Sequence, residues 1–175
     1  LTRNLAIRLN NRFASSVFKV PEPMIPPQGA RVMDLQNPEN KMSKSTTNQK
    51  GIIYLNDSDS SILKKIKSAV TDSGSTINDY ERASPGLKNL IDIHSVLSGL
   101  GHTQVTNNYS GKTYGQFKVD TADLCISTLA PIREKAKDLL DNQDYLMNTL
   151  RTGAQKAREV ARPMVDELYK RLGFL

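Results

Sequence analysis

Two lysines three positions apart, Lys41 and Lys44, stand in the stretch Lys41-Met42-Ser43-Lys44-Ser45, inside a polar, turn-forming run from Gln36 to Gly51. Transfer of a polyphosphate needs mobile positive charge that tightens as negative charge develops in the transition state. Two ammonium groups on such a loop reach phosphate oxygens, while Ser43, Ser45 and backbone amides supply hydrogen-bond donors. Met42, between the lysines, is suited to anchor the loop on an apolar surface. As chemistry alone, two lysines in a polar loop are more often a solvated surface. The specificity lies in the whole string and in what surrounds it.

Charge is gathered around this loop. The first 67 residues hold eleven Lys and Arg against five acidic residues, an excess of six that equals the whole net charge of +6. The remaining 108 residues balance. An anionic ligand gains from charge concentrated in this way, although a basic solvated surface has the same composition. Other chemistry-bearing residues are sparse. His94 sits in an apolar helical pattern and reads as a core residue, and His102, beside Gly101, reads as a loop residue. Neither has the Asp, Glu or Cys spacing of a metal site, so no metal ligand is expected. The single cysteine, Cys125, excludes an internal disulfide and fits a reducing cytosol. No apolar run approaches the roughly 18 residues of a membrane span, so no membrane association is expected. The chain opens on Leu1 without a basic start and apolar core, which reads as a processed or trimmed start.

The elements that must position the loop follow from periodicity. Leu1, Leu5, Leu9 and Phe13 recur every four residues and predict an amphipathic helix that ends before Val20-Pro21-Glu22-Pro23. Pro26-Pro27-Gln28-Gly29 extends the connector. Alternation over Arg31-Val32-Met33-Asp34-Leu35 predicts a short strand, and Ile52-Ile53-Tyr54-Leu55 a second. Asp57 or Ser58 caps a helix whose Ile62, Leu63, Ile66 and Val70 share a face, stopped by Asp72-Ser73-Gly74-Ser75. Pro85-Gly86 precedes a helix from about Leu87 to Leu97, with Gly99, Gly101 and Gly111 as punctuation beyond it. Two long helices follow, about Gly115 to Leu140 and Asp144 to Leu172. On the second, Val160, Met164, Val165, Leu168 and Leu172 are expected to pack into a core, and Pro163 to kink the helix.

Lys41 to Ser45 match the K-M-S-K-S signature of the class I aminoacyl-tRNA synthetases. The surrounding residues resemble the tryptophanyl branch of that family. Leu1-Thr2-Arg3-Asn4-Leu5-Ala6 is similar to the helix after its substrate-site motif, and Gly29-Ala30-Arg31-Val32-Met33 to the strand leading into its signature loop. Lys67-Ser68-Ala69-Val70-Thr71-Asp72-Ser73, Pro85-Gly86-Leu87-Lys88-Asn89-Leu90 and Tyr114-Gly115-Gln116-Phe117-Lys118 match in order. The resemblance covers essentially the whole chain.

It implies a mainly α chain in two parts. Residues 1–55 would be the C-terminal edge of a Rossmann nucleotide-binding domain, a short strand plus the signature loop. Residues 56–175 would be a helical bundle that engages the tRNA anticodon. By resemblance Lys41 and Lys44 act catalytically, stabilising pyrophosphate as tryptophan attacks the α-phosphate of ATP. Val32 contacts adenine through its backbone, and Met42, Ser43 and Ser45 complete the ATP-binding set. Arg151, Lys156, Arg158 and Arg162 are exposed basic candidates for the tRNA surface. The implied substrates are ATP with Mg2+, tryptophan and its tRNA, with no tightly bound cofactor. A homodimer in a bacterial cytoplasm or an organellar matrix is also implied.

The chain departs from the pattern at Thr46-Thr47, where the family continues with Asp-Pro, which predicts a more mobile loop with activity retained. Pro163 is a second departure. Neither histidine lies in the family's His-X-Gly-His type signature, so the tryptophan pocket is expected upstream of Leu1 and the 175 residues alone are expected to be inactive. A non-catalytic RNA-binding module is the alternative of another class, disfavoured by the neutral helical part. A tyrosyl-type synthetase fragment shares the architecture.

Overall fold

The computed structural model describes residues 1–26 and 29–174, so the connector expected at Pro27 and Gln28 lies outside the described residues. The described residues hold six α-helices: α1 (Thr2–Phe13), α2 (Asp59–Lys67), α3 (Pro85–Ser98), α4 (His102–Asn108), α5 (Tyr114–Asp141) and α6 (Gln143–Leu172). A 3-10 turn, Gln49–Gly51, closes the long loop. The chain divides into two compact units, Pro26–Lys137 and a second built from Leu1–Ile25 with Asp138–Leu175.

The core belongs to the first of these. Ile62 and Ile66 on α2, Leu90 and Ile91 on α3, Val105 on α4 and Phe117 on α5 are fully buried around Leu35 and Ile77. Their burial follows from the i, i+4 spacing on each helix, which puts Ile62 with Ile66 and Ile91 with Ser95 on one stripe. Local sequence sets the helix ends. Ser58 Oγ accepts from Ser61 N–H at the start of α2. At α3, Ser84 Oγ accepts from Leu87 N–H, Pro85 occupies the first turn, and Gly99 leaves the helix at φ 73°. Gly86 is needed for a different reason: a Cβ there would lie 2.0 Å from Val70 O, so the start of α3 rests directly on backbone.

Several expectations are corrected. Neither Arg31–Leu35 nor Ile52–Leu55 forms a strand, and the described residues hold only isolated bridges, one of them Met33 with Lys41. Alternation marks a segment able to pair, but pairing needs a neighbouring strand, which this stretch meets for one residue only. Helix α2 ends at Lys67, before Val70 and the Asp72 turn, and Val70 is half-exposed. His102 begins α4 instead of lying in a loop. The stripe Val160, Met164, Val165 and Leu172 on α6 is exposed, and α6 has no buried residue; on α1 only Ala6 is buried. Periodicity says which residues share a face. It does not say whether anything covers that face. Pro163 lies within α6, and Pro131 lies within α5 in the same way.

In the unit containing α1 and α6, polar contacts hold the described turns. Asn10 exchanges two hydrogen bonds with the Phe18 backbone, at 2.8 and 2.9 Å, and Arg171 donates to Ser15 Oγ at 3.3 Å.

Candidate functional site

The loop from Gln36 to Gly51 is closed by its own ends. Met33 and Lys41 face each other as an antiparallel pair flanked by Met42 N–H to Val32 O at 3.0 Å and Asp34 N–H to Asn40 O at 2.8 Å. The buried Asp34 carboxylate accepts from the N–H groups of Gln36 (2.7 Å) and Asn37 (3.0 Å), an Asx turn that starts the loop. Leu35 N–H reaches Gly51 O at 2.9 Å, and a Cβ on Gly51 would collide with the Asp34 carboxylate at 2.2 Å. Leu35 O in turn accepts from Val70 N–H at 2.8 Å. The base of the loop is thereby tied to the core while its tip stays in solvent.

Lys41, whose backbone stands in the bridge, and Lys44, beyond it, both have exposed side chains, and no carboxylate among the described residues pairs with either. Met42 between them is partly buried and packs against the core, the anchoring role expected of it. Ser43 Oγ and Ser45 Oγ lie 3.0 Å apart and Thr46 N–H reaches Ser43 O at 3.1 Å. At Thr46-Thr47, where the resemblance leads one to expect Asp-Pro, Thr46 Oγ1 accepts from Asn48 N–H at 3.3 Å and Thr46 O accepts from the Gln49 amide at 3.2 Å. A threonine hydroxyl thus makes the kind of local turn bond that an Asp carboxylate makes.

Val32, half-exposed, and Met42 border an apolar cleft of about 230 Å³, whose far wall is α3 with Asn89, Asp92, Ile93, Val96 and Leu97. Gly29, Arg31 and Ile53 complete the lining. The structure therefore brings Val32, Lys41 and Met42 together through one bridge and sets Ser43, Lys44 and Ser45 on the same loop. The α3 wall was missed by sequence reading, because it joins the loop from about fifty residues away and carries no signature beyond the Pro85–Leu90 block.

The two histidines serve packing. His94 Nδ1 lies 3.1 Å from Thr121 Oγ1 among the rings of Tyr109 and Phe117, and burial pushes its pKa down. His102 stacks on Tyr80 with ring centres 4.1 Å apart and Nε2 3.0 Å from Asp92 Oδ1, a spacing without hydrogen-bond alignment. Among the described residues no three His, Cys, Asp or Glu side chains are grouped to hold a metal ion, and no helix is long and apolar enough to cross a membrane. In the other unit Arg151, Lys156, Arg158 and Arg162 are exposed on α6, with Arg162 2.9 Å from Asp166.

The chain is similar to known proteins in sequence and in fold. The chain is 42% identical over all 175 residues to tryptophan–tRNA ligase 2 of Streptomyces avermitilis, covering 52% of that protein. Over 173 residues it is 44% identical to the tryptophan–tRNA ligase of Listeria monocytogenes, again covering 52% of it. Among solved structures, tryptophanyl-tRNA synthetase from Mycoplasma pneumoniae superposes with a TM-score of 0.82 at 29% identity, over 98% of this chain and 51% of that one. The Campylobacter jejuni enzyme complexed with ADP and tryptophan gives 0.64 at 29% identity, over 98% and 52%. The chain thus spans about half the length of the relatives it matches. The sequence pattern of the family described as tRNA synthetases class I (W and Y) fits residues 1–130. With that match covering most of its length, the chain belongs to the class I tRNA synthetases of the W and Y type.

Proposed function

We propose that the protein carrying this chain is a tryptophan–tRNA ligase, which activates tryptophan with ATP and transfers it to tRNA. The observation that carries this reading is the pair Lys41 and Lys44, exposed and with no carboxylate partner among the described residues, on a loop whose base is pinned by the Met33–Lys41 bridge, in a chain 42–44% identical to tryptophan–tRNA ligases. On this reading the two ammonium groups stabilise the pyrophosphate leaving group of Mg2+-ATP. Ser43 and Ser45 turn their hydroxyls from each other to phosphate oxygens, Val32 meets adenine through its backbone, and Met42 keeps the tip anchored. Residues 1–55 act as the C-terminal portion of the catalytic domain and residues 56–175 as the helical tRNA-binding part, with the exposed arginines and lysine of α6 available to phosphates. The tryptophan pocket belongs to sequence outside these 175 residues, so the chain alone does not activate tryptophan. The assembled enzyme is a homodimer of a bacterial cytoplasm or an organellar matrix.

Tryptophan-dependent exchange of pyrophosphate into ATP by the full-length protein tests this. Lys44→Ala should lower the rate by about 10²–10³-fold, the usual loss for one transition-state charge contact. An unchanged rate would remove the role of Lys44. Exchange driven by tyrosine instead of tryptophan would move the protein to the tyrosyl branch, and no exchange with either would favour the non-catalytic RNA-binding alternative.

A further inference from the structure

In an antiparallel pair without mutual hydrogen bonds, each residue turns its own N–H and C=O away from its partner. Met33 and Lys41 form such a pair, since the flanking bonds run from Met42 to Val32 and from Asp34 to Asn40. Met33 therefore presents one donor and one acceptor toward α3, where a second strand would stand in a sheet. Among the described residues no strand stands there. Instead Asn89, 2% exposed, takes both groups: Met33 N–H donates to Asn89 Oδ1 at 2.9 Å, and Asn89 Nδ2 donates to Met33 O at 2.8 Å. A carboxamide carries one acceptor and one donor side by side, as a strand's peptide edge does, so a single side chain completes the ladder.

We propose that Asn89 is a positioning residue for the signature loop, fixing Met33 and through it the register of Val32, Lys41 and Met42. This rests on the reading of Lys41 and Lys44 as the ATP-phosphate contacts. The neighbouring geometry supports it. Asn89 lies on α3 between the fully buried Leu90 and the core-facing Leu87, so its rotamer is held by packing. It also lines the cleft beside Val32 and Met42. A group fixed in the core and bonded to the strand-like segment transmits that fixity to the loop base, one residue from each side of the cleft.

Two arms test it. In this 175-residue chain, hydrogen exchange read by NMR should show Met33 N–H losing its protection in Asn89→Ala, with Asp34 and Met42 N–H exchanging faster as the bridge loosens. Ile91→Ala, which opens the same helix's core face and leaves both Asn89–Met33 hydrogen bonds in place, should leave the relative protection of these three amides unchanged. Asn89→Leu, similar in shape and without the amide, serves should the alanine variant not fold. In the full-length protein, compared at equal folded fraction, Asn89→Ala should cost on the order of tenfold to a hundredfold in tryptophan-dependent pyrophosphate exchange, as misplacement of a distant reacting group does. The loss should fall on kcat and the KM for ATP, with the KM for tryptophan within about twofold. An equal loss in Ile91→Ala, or Met33 protection surviving in both Asn89 variants, would overturn the proposal. If the unsubstituted protein exchanges no pyrophosphate, the activity reading falls and the amide arm alone decides whether Asn89 positions the loop.

Discussion

Asp57 shows how far a single side chain's environment sets its behaviour. Its carboxylate lies 2.6 Å from Lys65 Nζ, with both side chains largely buried, and accepts from Tyr54 N–H at 2.8 Å and Ser61 Oγ at 3.1 Å. Burial is the largest influence and raises its pKa. The bonds from Lys65, Tyr54 and Ser61 together outweigh it and hold the group below the ordinary carboxylate value. A carboxyl depressed in the folded state adds stability above its unfolded pKa of about 3.9, and that stability is lost as pH falls through the lower folded value. Asp57→Asn should therefore lower stability at pH 7 by about 1–3 kcal/mol and flatten the acid limb of a Tm-against-pH curve. A curve parallel to that of the parent chain would show that the pair is energetically idle. Sequence reading placed a cap at Asp57 or Ser58, and local chemistry alone could not divide their roles. Ser58 caps; Asp57 holds Lys65. Asn89 was less legible still, because its partner Met33 is 56 positions away and an asparagine in an apolar helix has no periodic signature.

Among the elements, α3 does most to set the site, and its start depends on Gly86. The backbone there lies so close to Val70 O that a methyl group would sit 2.0 Å away, against a carbonyl that is not free to swing aside. Gly86→Ala should cost more than about 2 kcal/mol through this overpacking, even though alanine is the better helix former. Urea unfolding checks it: the midpoint should fall with an unchanged m-value. A midpoint at or above that of the parent would mean that the helix start shifts freely. The helices themselves were readable from caps and periodicity, with α3, α5 and α6 falling near the expected bounds. The strands were not, because a strand is a relation between two segments. Arg31–Leu35 has the alternation of a strand, but its ladder is met by one bridge and one side chain. Lys118 plays a similar part on another segment, donating to Ala69 O at 2.8 Å and Thr71 Oγ1 at 3.1 Å just beyond α2, with burial lowering its pKa. In both places a long-range side chain finishes a backbone that local sequence leaves unpaired.

At the scale of the whole chain, the two compact units differ in how well each accounts for its own apolar residues. The unit Pro26–Lys137 contains the entire buried cluster from Leu35 to Cys125, whereas the unit of α1 and α6 buries Ala6 and exposes Leu5, Tyr145, Leu150, Val160 and Phe174. Stability scales with apolar area removed from water, so the first unit carries the folding free energy and the second adds little to it. Residues 26–137 expressed alone should consequently unfold in one cooperative urea transition. Cys125 gives the readout. Its thiol is buried, and that burial pushes its pKa up to about 11, so it reacts with a thiol reagent only when the core opens. In the 26–137 piece at pH 8 it should react as slowly as in the 175-residue chain and rapidly once urea passes the midpoint. Reaction at the unfolded rate in buffer would show that α1 and α6 are needed for the core, despite their exposed faces. Slow reaction would place the loop of Lys41 and Lys44 on a unit that holds its shape by itself, with the backbone bonds at the base of that loop, Met42 to Val32, Asp34 to Asn40 and Leu35 to Gly51, kept without α1 and α6.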